Sequence, residues 1–285
     1  MPAFIPEIWS AKILEALDNT LVYSQLFNTD YEGEITAAGD TVHIGTVGNV
    51  TVKKYTRNTD IAAPEAVAVT DQTLTIDQAD YFNIQVDDLD AVQSKLPLLN
   101  EATSRAAYAF SDNADKFLGS LLASKGTANT ALGTKAEPIT VTKDNAYQLL
   151  VQMRTNLTKA NLPTAGRKVV VPPEFEGFML LDNRFVAVDT ASDARLTDGR
   201  VYRAAGFDIL VSNNAPTVAK AGSDSLLTAT NIVAASSMCG TFANQILETK
   251  GYSPEARFGQ AVKGLHAYGA AVTRPAAVAV ATVVF

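Results

Sequence analysis

The feature that most restricts the fold is a stretch of alternating residues with little apolar surface, GDTVHIGTVGNVTVKKYTRNTD at positions 39–60. Apolar and polar residues alternate on both sides of Gly48-Asn49, as they do in two antiparallel strands joined by a tight turn. An isolated hairpin is marginally stable in water, so it must lie on another surface. The sequence therefore predicts a long ribbon that needs a burial partner, either in its own domain or on a neighbouring subunit.

The remaining chain mixes helical and strand patterns. Apolar residues recur at helical spacing over 97–124, which predicts a long helix. Shorter helices are predicted at 6–21 and at 143–159, the latter with Thr142 as its N-cap. Alternation returns at 72–88, QTLTIDQADYFNIQVDD, and predicts further strands. Helices and strands follow one another without a strand–helix–strand rhythm, which favours an α+β fold.

Charge and hydropathy exclude several classes of function. The 285 residues include 23 Lys+Arg and 30 Asp+Glu, a formal net charge of −7. Binding to nucleic-acid phosphates depends on cationic neutralisation, so an acidic chain is a poor candidate for it. The longest strongly apolar stretch, AAVAVATVVF at 276–285, is shorter than the roughly 20 residues of a membrane span. The sequence predicts no membrane partner and a cytoplasm-like compartment.

Motifs that carry chemistry are absent from the sequence. The single cysteine, Cys239, lies in AASSMCGTF and is predicted to be a buried, unreactive thiol. His43 and His266 form no HxxxH or HExxH pair and are interpreted as structural. The phosphate-binding, dinucleotide-binding and nucleophile-elbow motifs do not occur. We therefore predict no catalytic residue, no metal site and no cofactor.

Two charged clusters remain as candidate contact surfaces. An acidic string lacks the spacing of a calcium loop, and we interpret it as a solvated rim, with incidental divalent binding at an interface as the alternative. It consists of Asp77, Asp80, Asp87, Asp88 and Asp90. A compact basic cluster on the ribbon is either a charged tip that discourages strand aggregation or a contact with a neighbouring subunit. The intersubunit contact candidates are this cluster and one residue of the predicted N-terminal helix: Lys53, Lys54, Tyr55, Arg57 and Trp9.

The order of these segments resembles the major capsid proteins of tailed phages, which share the fold named after bacteriophage Hong Kong 97. The resemblance covers nearly the whole chain. The segments that carry it are the N-terminal helix, GDTVHIG, LTIDQADYFNIQVDDLD, the long Ala-rich helix, VVVPPEF, AAGFDILVSNNAP and RFGQAVKGLHAYGAAVTRPAAVAV. None of these segments is catalytic in that family, so the resemblance implies a structural subunit and not an enzyme.

The resemblance also implies a division of the chain. An N-terminal arm is followed by an E-loop, a two-stranded extension that lies across an adjacent subunit. A peripheral domain contains the long spine helix, and an axial domain gathers around the five-fold and six-fold positions. The implied limits are 1–38 for the arm, 39–88 for the E-loop, 89–130 and 240–270 for the peripheral domain with its spine helix at 97–124, and 131–239 and 271–285 for the axial domain.

The partners implied by the resemblance are further copies of the chain, in pentamers and hexamers of an icosahedral shell. That shell is the virion head, formed in the host cytoplasm, and it encloses double-stranded DNA without sequence-specific binding. A portal is expected, together with a separate scaffolding protein, because the arm begins almost at Met1. Some family members join an E-loop lysine to a peripheral asparagine. Lys53 or Lys54 matches the lysine, but residues 250–285 contain no asparagine, so we expect a non-covalent shell.

Two other classes of function remain open from the sequence. One is an encapsulin-like compartment, which uses the same fold to enclose cargo proteins. The other is an α+β enzyme without familiar motifs, which predicts a compact monomer or small oligomer. The long ribbon with little apolar surface argues against the enzyme, since a compact domain has no use for it.

Overall fold

The computed structural model describes residues 21–29, 41–47, 69–87, 98–127, 129–182, 201–219, 228–255 and 259–285, together with single residues or pairs at 51, 52, 54, 55, 57, 60, 63 and 66. In these parts the helices are α1 Leu98–Lys125, α2 Ala146–Lys159 and α3 Pro173–Leu180. The strands are β1 Thr41–Val47, β2 Val69–Thr75, β3 Gln78–Asp87, β4 Ile139–Thr140, β5 Arg167–Val171, β6 Arg203–Ala204, β7 Phe207–Val211, β8 Thr217–Ala219, β9 Thr228–Ser236, β10 Thr241–Tyr252, β11 Gly259–Ala271 and β12 Val278–Val284. The predicted N-terminal helix at 6–21 lies almost wholly outside the described residues.

The long helix α1 confirms the prediction for 97–124, with each end displaced by one residue. Its 28 residues correspond to a length of about 42 Å. On its wetter face the ammonium of Lys116 lies 2.6 Å from a carboxylate oxygen of Asp112, one helical turn away. This pairing lowers the pKa of Asp112 chiefly through the hydrogen bond from Lys116.

Helix α2 begins at Ala146, so the predicted start at residue 143 and the N-cap at Thr142 are wrong. The side chain of Asn145 accepts a hydrogen bond from the Thr142 amide at 2.8 Å and donates one to the Thr140 carbonyl at 2.8 Å. Residues 143–145 therefore form a turn, and Asn145 becomes the N-cap residue. Asparagine side chains favour such local backbone bonds over the helix.

The described strands form three sheets. β1 and β2 make a separate two-stranded sheet, and β10, β11 and β3 make an antiparallel three-stranded sheet in that order. The third sheet has seven strands, in the order β4-β12-β9-β5-β7-β6 with β8 paired to β9. Helices and sheets are mixed without a regular alternation, which confirms the α+β class.

Helix α1 lies across both larger sheets and joins them into one core. Its buried residues recur at intervals of three and four, at Ala107, Phe110, Ala114, Leu118 and Leu122. They pack in one cluster with buried residues of both sheets, including Val170, Val233, Ala235, Phe242, Tyr268 and Val278. The helix thus fixes the position of the three-stranded sheet relative to the seven-stranded sheet.

The opposite face of the seven-stranded sheet is covered by α2 and α3. This second cluster includes Leu150, Met153, Val169, Phe175 and Ile232. A buried arginine, Arg167, lies at the edge of this second cluster.

Arg167 is only 2% exposed and donates to the carbonyl oxygens of Leu162 and Pro163 at 2.7 and 2.8 Å. It also donates to the Thr158 hydroxyl at 2.9 Å and to the Arg154 carbonyl at 3.3 Å. A cation at the C-terminal end of α2 is favoured by the helix dipole.

Candidate intersubunit surface

The ribbon is a hairpin whose strands are far apart in sequence. β1 pairs with β2 in an antiparallel register that runs from Thr41 opposite Thr75 to Val47 opposite Val69. The predicted pairing of this strand with the residues just after Gly48-Asn49 is therefore wrong, since β1 pairs with β2 and the described residues Val52, Lys54 and Tyr55 belong to no strand. Gly48 and Asn49 themselves lie outside the described residues. β3, which follows β2 directly, pairs with β11 in the three-stranded sheet instead.

The base of this hairpin is buried against its own chain. Val42, Ile44, Leu74 and Ile76 are at most 8% exposed, and they pack on Ala243 of β10 and Ala267 of β11. These alanines leave room for the larger side chains above them. The expectation that the whole ribbon takes its burial partner from another copy is therefore wrong for the base.

A glycine lets the hairpin base approach the sheet. At Gly269 of β11, a Cβ atom would stand 2.3 Å from the carbonyl oxygen of Thr75 and 3.0 Å from the Cα atom of Ile76. Only a residue without a side chain fits beneath the backbone at this point. The connection between β2 and β3 is thus held close to the three-stranded sheet.

The tip of the hairpin has no such packing among its described residues. Val52 is 93% exposed and Tyr55 is 72% exposed, and Lys54 and Arg57 are also exposed. Three of the predicted contact residues therefore lie on one exposed segment. Lys53 and Trp9 lie outside the described residues, and the contact of this set with a neighbouring subunit stays a prediction.

The chain before the hairpin is anchored on α1 by a buried carboxylate. Asp115 is 2% exposed, and one of its oxygens accepts hydrogen bonds from the amides of Val22 and Tyr23 at 2.9 and 2.8 Å. Burial raises the pKa of Asp115, while these amides and the side chains of Asn214 and Ser212 oppose the rise. Asp115 thus ties residues 21–29 to α1 and to the chain after β7. No sequence motif indicated this role.

The two histidines occupy contrasting environments. His43 on β1 is exposed, and its Nδ1 lies 2.7 Å from a carboxylate oxygen of Asp71 on β2. His266 on β11 is fully buried between Tyr268 and Phe110, with ring centres 4.9 and 5.3 Å away. Within the described structure neither ring nitrogen of His266 has a hydrogen-bond partner.

Burial therefore lowers the pKa of His266 to about 4, against the opposing charge of Asp80. The Tyr268 hydroxyl donates to that Asp80 carboxylate at 3.1 Å. Burial is also the main cause of the raised pKa of Tyr268. A neutral imidazole enclosed by aromatic rings contributes packing between α1 and the sheet.

Cys239 is buried, as the sequence predicts, and its thiol donates to the Leu26 carbonyl at 3.2 Å. Burial raises its pKa to about 12, so the reactive thiolate is scarce. Among the described residues, no group of three or more His, Cys, Asp or Glu side chains is placed to hold a metal ion. None of the described helices has the length and hydropathy needed to cross a membrane.

Comparison with known proteins places this fold in context. A sequence model of the family described as phage capsid protein matches residues 65–281. A solved structure from Mycobacterium phage Che8 is 29% identical, covers 91% of this chain and 90% of that chain, and has a TM-score of 0.74. A search of curated proteins finds no match.

More distant structures share the fold at low sequence identity. The capsid structure of Cyanophage P-SCSP1u is 15% identical, covers 93% of this chain and 88% of that chain, and has a TM-score of 0.70. A virus-like particle from Pyrococcus furiosus is 11% identical, covers 98% of this chain and 100% of that chain, and has a TM-score of 0.53. The family match spans well over half of the chain, so this protein belongs to the phage capsid protein family and has the Hong Kong 97-like fold.

Proposed function

We propose that this capsid protein is the major subunit of an icosahedral head shell, arranged in pentamers and hexamers, and that its hairpin is the E-loop that holds neighbouring subunits together. The observation that carries the proposal is the contrast along the hairpin. Its base packs on β10 and β11 of the three-stranded sheet, whereas the side chains of Val52 and Tyr55 near its tip are largely exposed to solvent. Exposed apolar and aromatic side chains beside cations are typical of contact surfaces.

The reach of the tip fits a contact outside the subunit. Residues 48–68 leave β1 and return to β2, so each limb has about ten residues and extends at most about 30 Å beyond the paired base. A segment of this length spans a neighbouring copy of a small domain. Other copies of the chain are the partner that a shell always supplies.

We extend the proposal to the division of the chain. Residues 1–38 form the arm, and Asp115 fixes its last part on α1. The peripheral domain consists of α1 and the three-stranded sheet, and the axial domain consists of the seven-stranded sheet with α2 and α3. Because β3 pairs with β11, the E-loop of this proposal ends near Thr75 and not at residue 88.

The finer aspects of the proposal concern the contents and assembly of the head. The shell encloses double-stranded DNA without sequence-specific binding, since a net charge of −7 favours weak repulsion of the genome. A separate scaffolding protein and a portal take part, assembly occurs in the host cytoplasm, and the subunits stay non-covalent. The role is structural, without an active site.

The test is to trim the tip while keeping the base. Val47 and Val69 are register partners, so a two-residue Asn-Gly turn can replace residues 48–68 and close the hairpin. Negative-stain electron microscopy of the intact protein is expected to show closed shells, and the trimmed protein is expected to show none. The triple variant Lys54→Ala, Tyr55→Ala, Arg57→Ala is expected to weaken assembly in the same direction.

Urea unfolding controls for the fold of the trimmed protein. Its midpoint should match that of the intact chain, because the anchoring residues of the base are retained. Shells formed equally well by the trimmed protein would show that the tip has no intersubunit role. A monomeric intact protein at high concentration, with purified scaffolding protein added, would refute the shell itself.

A further inference from the structure

A cavity of about 380 Å³ lies where the ends of α1 and α2 meet the start of β12. The chain leaves α1 beside β12, since the Thr127 amide donates to the Val278 carbonyl at 3.2 Å and its hydroxyl donates to the Pro275 carbonyl at 3.0 Å. Leu157 and Lys159 reach the cavity from the last turn of α2. Its volume is in the range of pockets that bind small ligands or single side chains. We call it the junction cavity.

The floor of the junction cavity is apolar and fixed in place. Leu157, Val278 and Ala279 line it and are at most 3% exposed, because they also belong to the two hydrophobic clusters on either side of the seven-stranded sheet. Gly126, just before the cavity, lies so close to β12 that a Cβ atom there would stand 2.4 Å from a methyl carbon of Val280. The cavity is therefore preformed, and an apolar side chain placed in it is buried without rearrangement of the core.

The rim of the junction cavity offers hydrogen-bond donors. Lys159 is exposed, and no described residue forms an ion pair with it. The side-chain oxygen of Asn129 accepts from the Ala131 amide at 2.9 Å, which leaves the NH₂ group of Asn129 to donate. The backbone carbonyls of Asn156 and Leu157 already accept hydrogen bonds from amides after the helix. A ligand at the rim therefore meets donors and a positive charge, which a carboxylate satisfies.

The segments that line the junction cavity are free of acidic residues. Residues 116–136, 145–173 and 270–285 contain lysines and arginines but no Asp or Glu. The whole chain has the opposite balance, with 30 Asp+Glu against 23 Lys+Arg. Lys125 at the end of α1 and Arg274 just before Pro275 are both exposed, and neither forms an ion pair with a described residue. This local reversal of charge favours an anionic partner.

We propose that the junction cavity binds an acidic peptide segment of a partner protein, with a carboxylate at Lys159 and Asn129 and an adjacent apolar side chain on the floor. The charge of the rim selects the acid, and the floor selects its apolar neighbour. A DNA duplex does not fit, because its phosphates follow a continuous double helix that cannot enter the cavity. Free phosphate satisfies the donors but leaves the apolar floor in contact with water. The inference does not depend on the proposed shell, since a single subunit contains the whole cavity.

A fluorescent peptide of alternating Glu and Leu residues tests the site on the unassembled full-length chain. Fluorescence anisotropy should show saturable binding, and a matched peptide of alternating Gln and Leu should bind about tenfold more weakly, because it lacks the carboxylates. Lys159→Glu should weaken binding of the Glu peptide by about tenfold or more, because it places like charges together. Lys143→Glu makes the same change at an exposed position before the opposite end of α2, about 20 Å away, and should leave binding unchanged.

A second pair of variants tests the apolar part of the site. Ala276 lines the cavity and is exposed, so Ala276→Phe fills the space from the rim without entering the core. It should weaken binding of the Glu peptide by about tenfold, because the apolar side chain of the peptide loses its place on the floor. Ala165→Phe adds the same ring at an exposed position outside the cavity and should bind the peptide as the unaltered chain does. Urea unfolding checks that both variants keep the fold.

Several results would overturn the inference. One is equal affinity of the unaltered chain and Lys159→Glu, and another is no binding at peptide concentrations up to about 1 mM. Inorganic phosphate or a short DNA duplex that displaces the fluorescent peptide as well as unlabelled Glu peptide does would assign the site to phosphate instead. Loss of peptide binding at high subunit concentration would show that a further copy of the chain fills the cavity. Each of these results leaves the proposed shell function standing.

Discussion

The buried His266 predicts a pH dependence of stability that one substitution should remove. The pKa of His266 in the folded chain is about 4, below the ordinary value of 6.5. Between pH 4 and pH 6.5 the unfolded chain therefore binds a proton at this residue and the folded chain does not. Stability from this residue is complete above pH 6.5, falls as the pH drops toward 4, and then levels off. The two pKa values differ by roughly two and a half units, which corresponds to about 3 kcal/mol in the free energy of unfolding.

The assay is urea unfolding of the unassembled subunit from pH 4 to pH 8, for the unaltered chain and for His266→Leu. Leucine is close in volume and leaves no ring nitrogen without a partner, so the variant should be at least as stable at pH 7. Titrating groups away from His266, including Asp115, are present in both proteins and cancel in the comparison. The difference between the two proteins should therefore grow by about 3 kcal/mol as the pH falls from 7 to 4.

A position without a titrating side chain provides the control. Val52 is 93% exposed, and Val52→Ala should leave the pH dependence of the unaltered chain within about 0.5 kcal/mol. Parallel pH profiles for the unaltered chain and His266→Leu would contradict this prediction. They would mean that His266 is protonated in the folded protein, with a partner for its charge.

Three further predictions concern the anchors of the fold. Leu74→Ala, at a fully buried position in the hairpin base, should lower the free energy of unfolding by about 3 kcal/mol. Val52→Ala at the exposed tip should change it by less than about 0.5 kcal/mol. Equal effects of the two variants in urea unfolding would contradict the packing of the base. Asp115→Ala leaves the amides of Val22 and Tyr23 without an acceptor and should speed proteolysis within residues 21–29. Asp115→Asn keeps an oxygen acceptor and should speed it less. Equal proteolysis of the unaltered chain and both variants would contradict the anchoring role of Asp115. Arg167→Met should lower the free energy of unfolding by about 3 kcal/mol or more, because it leaves the carbonyls of Leu162 and Pro163 without a hydrogen-bond donor. Thermal or urea unfolding measures this loss. An unchanged free energy of unfolding would show that water replaces the guanidinium.

The elements with a strong local pattern could be predicted from the sequence. The stripe of apolar residues in α1 predicted this helix to within one residue at each end. The inert thiol of Cys239 also followed from its apolar surroundings. In each of these cases the information lies within a few neighbouring residues.

The pairing of the ribbon could not be predicted because its cause is distant in sequence. Gly48-Asn49 is a sound local turn signal, but register is decided by which strands bury their apolar faces together. Leu74 and Ile76 do so on Ala243 and Ala267, which lie well over a hundred residues away. Alternation alone does not reveal such a surface.

The structural roles of Asp115 and His266 could not be predicted from the sequence for a similar reason. Asp115 lies on a helix among other polar residues, and only the fold shows that it receives the amides of residues 22 and 23. The isolated His266 showed no catalytic pattern, yet its enclosure between Phe110 and Tyr268 depends on α1 and β11 together. A buried polar group acquires its role from partners that the sequence does not place.

The tip of the hairpin is proposed to reach a neighbouring copy in a closed shell. A cryo-electron microscopy reconstruction of purified particles tests this contact. We expect an icosahedral shell in which density for residues 48–68 lies on an adjacent subunit, with Tyr55 covered. A shell in which that density folds back on its own subunit, with Tyr55 still exposed, would contradict the claim.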